Sequence, residues 1–295
     1  MALHQANLVR DRLQAAHPEL AAPDAVLIVP IRTTGDRVQD RLLAEIGGKG
    51  LFTKEIETAL FDRRIDLAVH SLKDMETLLP AGLEIACVLP RDDPRDAMVS
   101  RGGARLAALP AGARIGTGSL RRRAQLLRLR PDFEIVPIRG NVDTRLNKLA
   151  AGEVDALMVA LCGLERLGRV AVATEILPAT MILPAVGQGA LAIECRADDD
   201  RVRHLLAALH DAPSAACVGA ERAMLAALDG SCRTPIAGFA EIDGDRINLD
   251  ALLLTPDGNA ERRAQGSAAI ADAAALGTRV GGELRKDAGP EFGFE

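Results

Sequence analysis

Seven short runs rich in β-branched and aliphatic residues punctuate the first two-thirds of this chain, with segments of helical spacing between them. The runs are AVLIVPI (25–31), IDLAVHS (65–71), LEIACVL (83–89), ARIGTG (113–118), EIVPIRG (134–140), ALMVA (156–160) and LAIEC (191–195). Between them, segments such as TKEIETALFDRR and NVDTRLNKLAAGE carry apolar residues at helical intervals and open on Thr or Asn. Alternation of this kind predicts a mostly parallel α/β architecture. Two Pro-marked passages, LPRDDPRD (89–96) and LPAVGQG (183–189), read as crossings between lobes. The stretch between them is then a domain inserted into the first, to which the chain returns through ALAIECR. A cleft between two such lobes is where α/β sheets present strand ends and helix N-termini to ligands.

After residue 212 the texture changes. PSAACVGAERAMLAALDG reads as a helix closed by Gly230, and TPIAGFAEID, RINLDALLLT and ERRAQGSAAI follow. Asp-Gly pairs at 243–244 and 257–258 separate these three runs, the hairpin signal of an antiparallel meander. A final helix, ADAAALGTRVGGELRK, completes a small α+β unit. The expected division is therefore residues 1–90 with 189–211 as lobe 1, 91–188 as lobe 2, and 212–295 as a C-terminal domain.

Composition removes several function classes. Six Phe with no Tyr or Trp leave few rings on which bases stack, and a net charge of −5 confines any basic patch to one locality. No nucleic-acid partner is expected. The N-terminal MALHQANLVRDRLQAAHPEL reads as an amphipathic helix and not as a signal peptide, and no apolar run is long enough for a membrane span. Five scattered cysteines without a CxxC pair, and five dispersed histidines, suit free thiols in a reducing compartment and no metal site. A cytoplasmic protein, expected to be monomeric, follows.

Five stretches have the residue types for chemistry. GTGSLRRRAQLLRLRP (116–131) ends a strand in Gly116-Thr117-Gly118, caps a helix with Ser119 and opens it with Arg121, Arg122 and Arg123. Backbone N–H groups, helix dipole and guanidinium forks suit a carboxylate or phosphate there; the alternative is a solvated basic face. IRGNVDTRLNKL (138–149) repeats the device with Arg139, the cap Asn141 and Arg145, and Arg166 follows the next strand. Two such junctions in one lobe suggest a polyanionic ligand. VHSLKDMETLLP (69–80) delivers His70, Ser71, Lys73 and Asp74 to a strand's C-terminal end, where Asp74 can exchange a proton or hold a developing cation. Read blandly, it starts a solvated turn. EIGGKGLFTKEIE (45–57) joins Gly47-Gly48 and Gly50 to Lys49 and Phe52, either a mobile lid or an ordinary connection. Cys232, in DGSCRTP, sits in a polar turn beside Arg233, which can lower its pKa; with no His nearby in sequence, spacing alone favours an incidental cysteine.

Taken in order, GGKGLFTKEIETAL, DLAVHSLKD, DDPRDAMVS, GTGSLRRRAQL, IRGNVDTRLNKL, LPAVGQGALAIECR, AERAMLAALDGSC and TPIAG are similar to the porphobilinogen deaminase (hydroxymethylbilane synthase) family. The likeness runs from the N-terminus into the C-terminal unit and thins beyond residue 260. It implies two lobes of the periplasmic-binding-protein type, a discontinuous first lobe and a small third domain. It implies a dipyrromethane cofactor joined by a thioether to Cys232, onto which four porphobilinogen units condense with loss of ammonia before hydrolysis releases a linear tetrapyrrole. Asp74 matches the catalytic aspartate. Each pyrrole carries an acetate and a propionate, and Arg121, Arg122, Arg139, Arg145 and Arg166 match the family's ligands to them. Lys73, Ser71, Thr117, Ser119 and Gln188 match further binding positions, and Asp36 and Phe52, with Lys49, match the mobile-loop region.

Three departures stand against that match. Met1 falls inside the Arg-x-Ser-Pro-Leu-Ala-like motif that leads into the family's Gln-Ala helix, so an N-terminal strand with a cofactor-binding Arg and Ser is expected to be missing. Met75-Glu76 follow Asp74 where Val-Pro is usual. TTGD replaces Thr-Arg-Gly-Asp, and Glu45 stands where lysine is common. The competing expectation is a non-catalytic two-lobed anion-binding protein or a decayed copy, which keeps the arginine junctions but needs neither Asp74 nor Cys232.

Overall fold

The computed structural model describes residues 1–37, 52–228, 234–286 and 288–293. Glu45, Lys49, Cys232 and Arg233, on which expectations fall, lie outside them. The described strands form three sheets. The first has the order β1-β8-β2, with β1 Leu67–Ser71, β2 Leu83–Val88 and β8 Leu191–Arg196. The second has the order β5-β4-β6-β3-β7, from β3 Asp96–Ser100, β4 Arg114–Gly116, β5 Glu134–Val136, β6 Ala156–Ala160 and β7 Glu175–Leu177. The third is the meander β11-β10-β9, from β9 Ile236–Asp243, β10 Arg246–Leu254 and β11 Glu261–Ala269.

Two sequence-based expectations change. Only the β4–β5 and β4–β6 pairs are parallel; β8 runs antiparallel to both β1 and β2, and β3 antiparallel to β6 and β7. The reason is the insertion itself, because a strand that leaves a lobe and one that returns to it enter from opposite directions. Residues 25–31 form no strand: Leu27 is 71% and Val29 51% exposed, and Pro30 removes a ladder donor near the end of the run. Strands β3 and β7 are additional to the expected seven.

Helices cover each sheet. The i, i+4 residues Gln5, Val9 and Leu13 of α1 (Ala2–Ala16) are buried. Val9 and Leu13 meet α7 (Asp200–Ala207) over Cys87, Ile193 and Cys195. Leu60 of α3 (Lys54–Phe61) closes the opposite face on Ala68 and Leu83. A short helix, α2 (Thr34–Arg37), precedes it and contains Asp36. On the second sheet, α4 (Leu120–Leu129) packs beneath Met98, Ile115 and Met158, while α5 (Val142–Ala150) and α6 (Leu161–Glu165) cover Ala97, Leu157 and Val159. In the third unit α8 (Ala212–Ala227) and α9 (Ala273–Arg285) lie together on the meander. A Cβ at Gly277 or Gly281 would collide with the Ala220 or Met224 carbonyl, so these glycines let the two helix backbones approach closely.

The two expected crossings touch. Asp92 N donates to Gly189 O at 3.2 Å, and Gly189, at φ +90°, has no room for a Cβ beside the Asp92 carbonyl. Glu221 of α8, fully buried, accepts from Arg91 (2.6 and 3.2 Å), Gly187 N (2.7 Å) and Ala240 N (2.8 Å). One carboxylate thus joins both crossings to the third unit. No helix among the described residues is long and apolar enough to cross a membrane.

Candidate functional site

Strand alternation decides which side chains reach the site. On β1, Ser71 points to the α1 face and accepts from Gln5 Nε2 at 3.0 Å, whereas His70 points to the α3 face and bonds Glu194 at 3.0 Å, both buried. The chain then makes a single 3-10 turn, Leu72–Asp74, which buries Leu72 and leaves Asp74 exposed at the end of the strand. Lys73 turns inward and donates to Gln188 Oε1 at 3.4 Å, which links lobe 1 to the returning crossing. Burial lowers the Lys73 pKa from its ordinary value, opposed chiefly by Asp74.

Opposite, two strand-to-helix junctions open toward that point. Thr117 is buried after β4 and its hydroxyl accepts from Ser119 N at 3.2 Å; Ser119 in turn caps α4 by accepting from Arg122 N at 3.4 Å. Asn141 caps α5 through Thr144 N at 2.8 Å. Both caps are those the sequence implies. Arg145, one turn into α5, donates Nε to Gly140 O at 2.8 Å. Burial and then Arg122 push its pKa down to about 10, Asp74 acts in the opposite direction, and Arg139 adds to the depression. Asp74, Lys73, Arg122, Arg139 and Arg145 therefore share one electrostatic neighbourhood.

The arginines divide into two groups. Arg121 is buried with one arm on Leu183 O (2.6 Å) and one on Asp96 (2.8 Å). Arg166 bonds Asp92 (2.7 Å) and Gly189 O (2.8 Å), at the crossings. Both are held by acceptors of the protein's own frame. Arg122 is intermediate: it reaches Met158 O (3.1 Å) and Asp96 (2.8 Å) yet lies close enough to Lys73 and Arg145 to depress both. Gln188 is buried and donates to Pro94 O and Asp96, both at 2.7 Å. Asp96 is the residue that sequence reasoning passed over. Despite the cost of burying it, Arg121 and Arg122 hold its carboxyl well below the ordinary range. The signal was an acid opening the fully buried run DAMVS, since a buried charge requires partners and RRR was the available source. Phe52 packs on Gly35, where a Cβ would strike its ring.

This donor set suits a carboxylate-rich group. Arg121 Nε and Arg122 Nε are both buried with no acceptor among the described residues, and Arg145 is a desolvated cation among Arg122, Arg139 and Asp74. Arg122, Arg139 and Arg145 are cations of the chemistry that could hold such carboxylates. By contrast, no cluster of metal-ligating side chains occurs among the described residues.

Fold and site together define a two-lobed α/β protein with an exposed carboxylate, Asp74, near the cations Lys73, Arg122, Arg139 and Arg145. A family model described as the porphobilinogen deaminase dipyrromethane cofactor-binding domain matches residues 1–204, and its C-terminal-domain counterpart matches residues 215–286. The chain belongs to the porphobilinogen deaminase family. A porphobilinogen deaminase of Nitrobacter hamburgensis is 53% identical over 292 residues, covering 99% of this chain and 92% of that protein. One from Paracoccus denitrificans is 54% identical over 292 residues, covering 99% and 93%. Among solved structures, a putative methionine-binding lipoprotein of Bacillus subtilis aligns with a TM-score of 0.42 at 15% identity, over 68% of this chain and 85% of that one.

Proposed function

We propose that this chain condenses four porphobilinogen units, with loss of ammonia at each, onto a dipyrromethane joined to Cys232 by a thioether, and releases linear hydroxymethylbilane by hydrolysis. The observation that carries this reading is the convergence of exposed Asp74 with Lys73, Arg122, Arg139 and Arg145 in a chain of this family. The cofactor, when bound, supplies the nucleophilic pyrrole carbon to which the first unit is joined. Asp74 holds the positive charge that departing ammonia leaves on the substrate pyrrole and exchanges the proton that restores aromaticity. Arg122, Arg139 and Arg145 bind acetate and propionate carboxylates, and Lys73, Thr117, Ser119 and Gln188 support that cradle. Arg121 and Arg166 act from behind it by fixing the crossings.

The four cysteines of the described residues, Cys87, Cys162, Cys195 and Cys217, are buried. Burial pushes Cys87 up to about 12 and Cys195 and Cys217 to about 11, which disfavours a thiolate at neutral pH. That supports Cys232 as the tether. The reading includes lobe 1 as 1–90 with 189–211, lobe 2 as 91–188, a C-terminal domain from 212, a monomer in the cytoplasm, and Asp36, Lys49 and Phe52 acting from the lid. A porphobilinogen-consumption assay tests it. Wild type should turn over, and Asp74→Ala should lose at least about 100-fold in kcat. An undiminished Asp74→Ala would overturn the mechanism.

A further inference from the structure

Arg222 has no role in the site as built above. It lies on α8, one turn beyond Val218 and on the same face. Val218 packs with Leu72 and Met75, the residues that flank Lys73 and Asp74 in the chain. Arg222 Nη2 donates to two successive carbonyls just past Asp74, those of Glu76 at 2.9 Å and Thr77 at 2.8 Å. The stretch between the 3-10 turn and β2 has no regular structure of its own. Among the described residues, its backbone–backbone hydrogen bonds lie at its ends: Met75 N to Leu72 O, Leu83 N to Pro80 O and Ala197 N to Gly82 O. Between those ends the guanidinium supplies the donors that a strand partner would otherwise supply.

The surroundings make this contact costly to break. Burial lowers the Arg222 pKa, and the carboxylate of Glu194, itself buried, acts in the opposite direction. A largely desolvated cation bonded to two carbonyls cannot leave them without stranding its charge. The preceding residue, Glu221, fixes α8 to both crossings and to β9. Neighbouring residues of one helix therefore hold the crossings and the loop after the site carboxylate. Met75-Glu76 furnish both halves of the contact with the loop: an apolar side chain in the Val218 cluster and a carbonyl on Arg222.

We propose that Arg222 is a positioning residue, holding the loop that follows Asp74 in register with the C-terminal unit and so fixing where the Asp74 carboxylate stands. The role rests on the deaminase reading of Asp74. Misplacement of a reacting group by about 1 Å costs on the order of 100-fold in rate, so a loosened anchor affects kcat before it affects binding.

The test compares wild type, Arg222→Met and Arg222→Lys by hydrogen exchange and by porphobilinogen kinetics, with rates normalised to cofactor-bearing protein by intact mass. Arg222→Met should speed amide exchange in residues 75–79 and lower kcat about tenfold with KM within about twofold. Arg222→Lys, which keeps a cation but not the planar fork, should recover part of both. Unchanged exchange in Arg222→Met, or a rate that falls only in proportion to lost folded protein, would overturn the proposal. Should Arg222→Met fail to fold, Arg222→Lys against wild type gives the same comparison with smaller expected changes, and the same null result overturns it. Absence of turnover in wild type would instead remove the deaminase reading, leaving the exchange comparison to decide whether Arg222 holds the loop.

Discussion

Asp96 enters the second sheet as the one charged residue of a fully buried strand, and its two oxygens are divided between Arg121 and Arg122, with Gln188 on one of them. Two residues expected to bind ligand carboxylates, Arg121 and Arg122, and a third expected binding position, Gln188, thus already share a carboxylate of the protein. Removing one partner of such a cluster leaves buried charge uncompensated, so Asp96→Asn should destabilise by about 3–5 kcal/mol at pH 7. The sign with pH follows from the depressed folded pKa. The contribution is complete above the unfolded value of about 3.9 and is lost only as pH falls through the folded one, in strong acid. Urea midpoints of wild type and variant should therefore keep their separation between pH 7 and pH 5. A gap that closes within that interval would contradict the ion cluster.

At the scale of elements, the close contact of α8 with α9 depends on Gly277 and Gly281, which leave no room for a methyl against the facing carbonyls. Gly277→Ala should cost about 1–3 kcal/mol through overpacking, although alanine is the better helix former. A raised thermal midpoint would show that the helices part readily. Much of the element order was legible in the chain. Alternating apolar residues marked β1, capping Ser119 and Asn141 marked α4 and α5, and Asp-Gly pairs marked the two hairpins. Near the second pair the turn is longer, with Asp257 accepting from Asn259 N at 3.1 Å. Strand β3 was hidden because its first residue is charged and it follows a Pro-rich crossing. The apolar run 25–31 misled for the opposite reason: its composition is that of a strand, but pairing depends on a partner's hydrogen-bonding edge, which no local pattern encodes. The same limit explains the site. Residue types and junctions pointed to an anion, whereas Arg121 and Arg166 are turned to internal acceptors by partners 25 and 74 positions away in the chain.

Over the whole molecule, the crossings are held together by their own backbone at Asp92 and Gly189, by Arg166 across both, and by Glu221 from the third unit. That seam fixes the strand end that carries Asp74 beside the lobe that carries Arg122, Arg139 and Arg145, groups close enough for Asp74 and the other two arginines to act on the pKa of Arg145. Such an arrangement suits a ligand that lengthens while anchored at one end, since each added pyrrole brings two more carboxylates to the same set of cations. The account therefore turns on a covalent tether at Cys232, and intact mass tests it most directly. Purified wild-type protein should exceed its sequence mass by one dipyrromethane and gain further pyrrole increments on brief exposure to porphobilinogen, while Cys232→Ala shows neither. A wild-type mass equal to the sequence mass that stays unchanged with porphobilinogen, or an adduct that persists in Cys232→Ala, would contradict it.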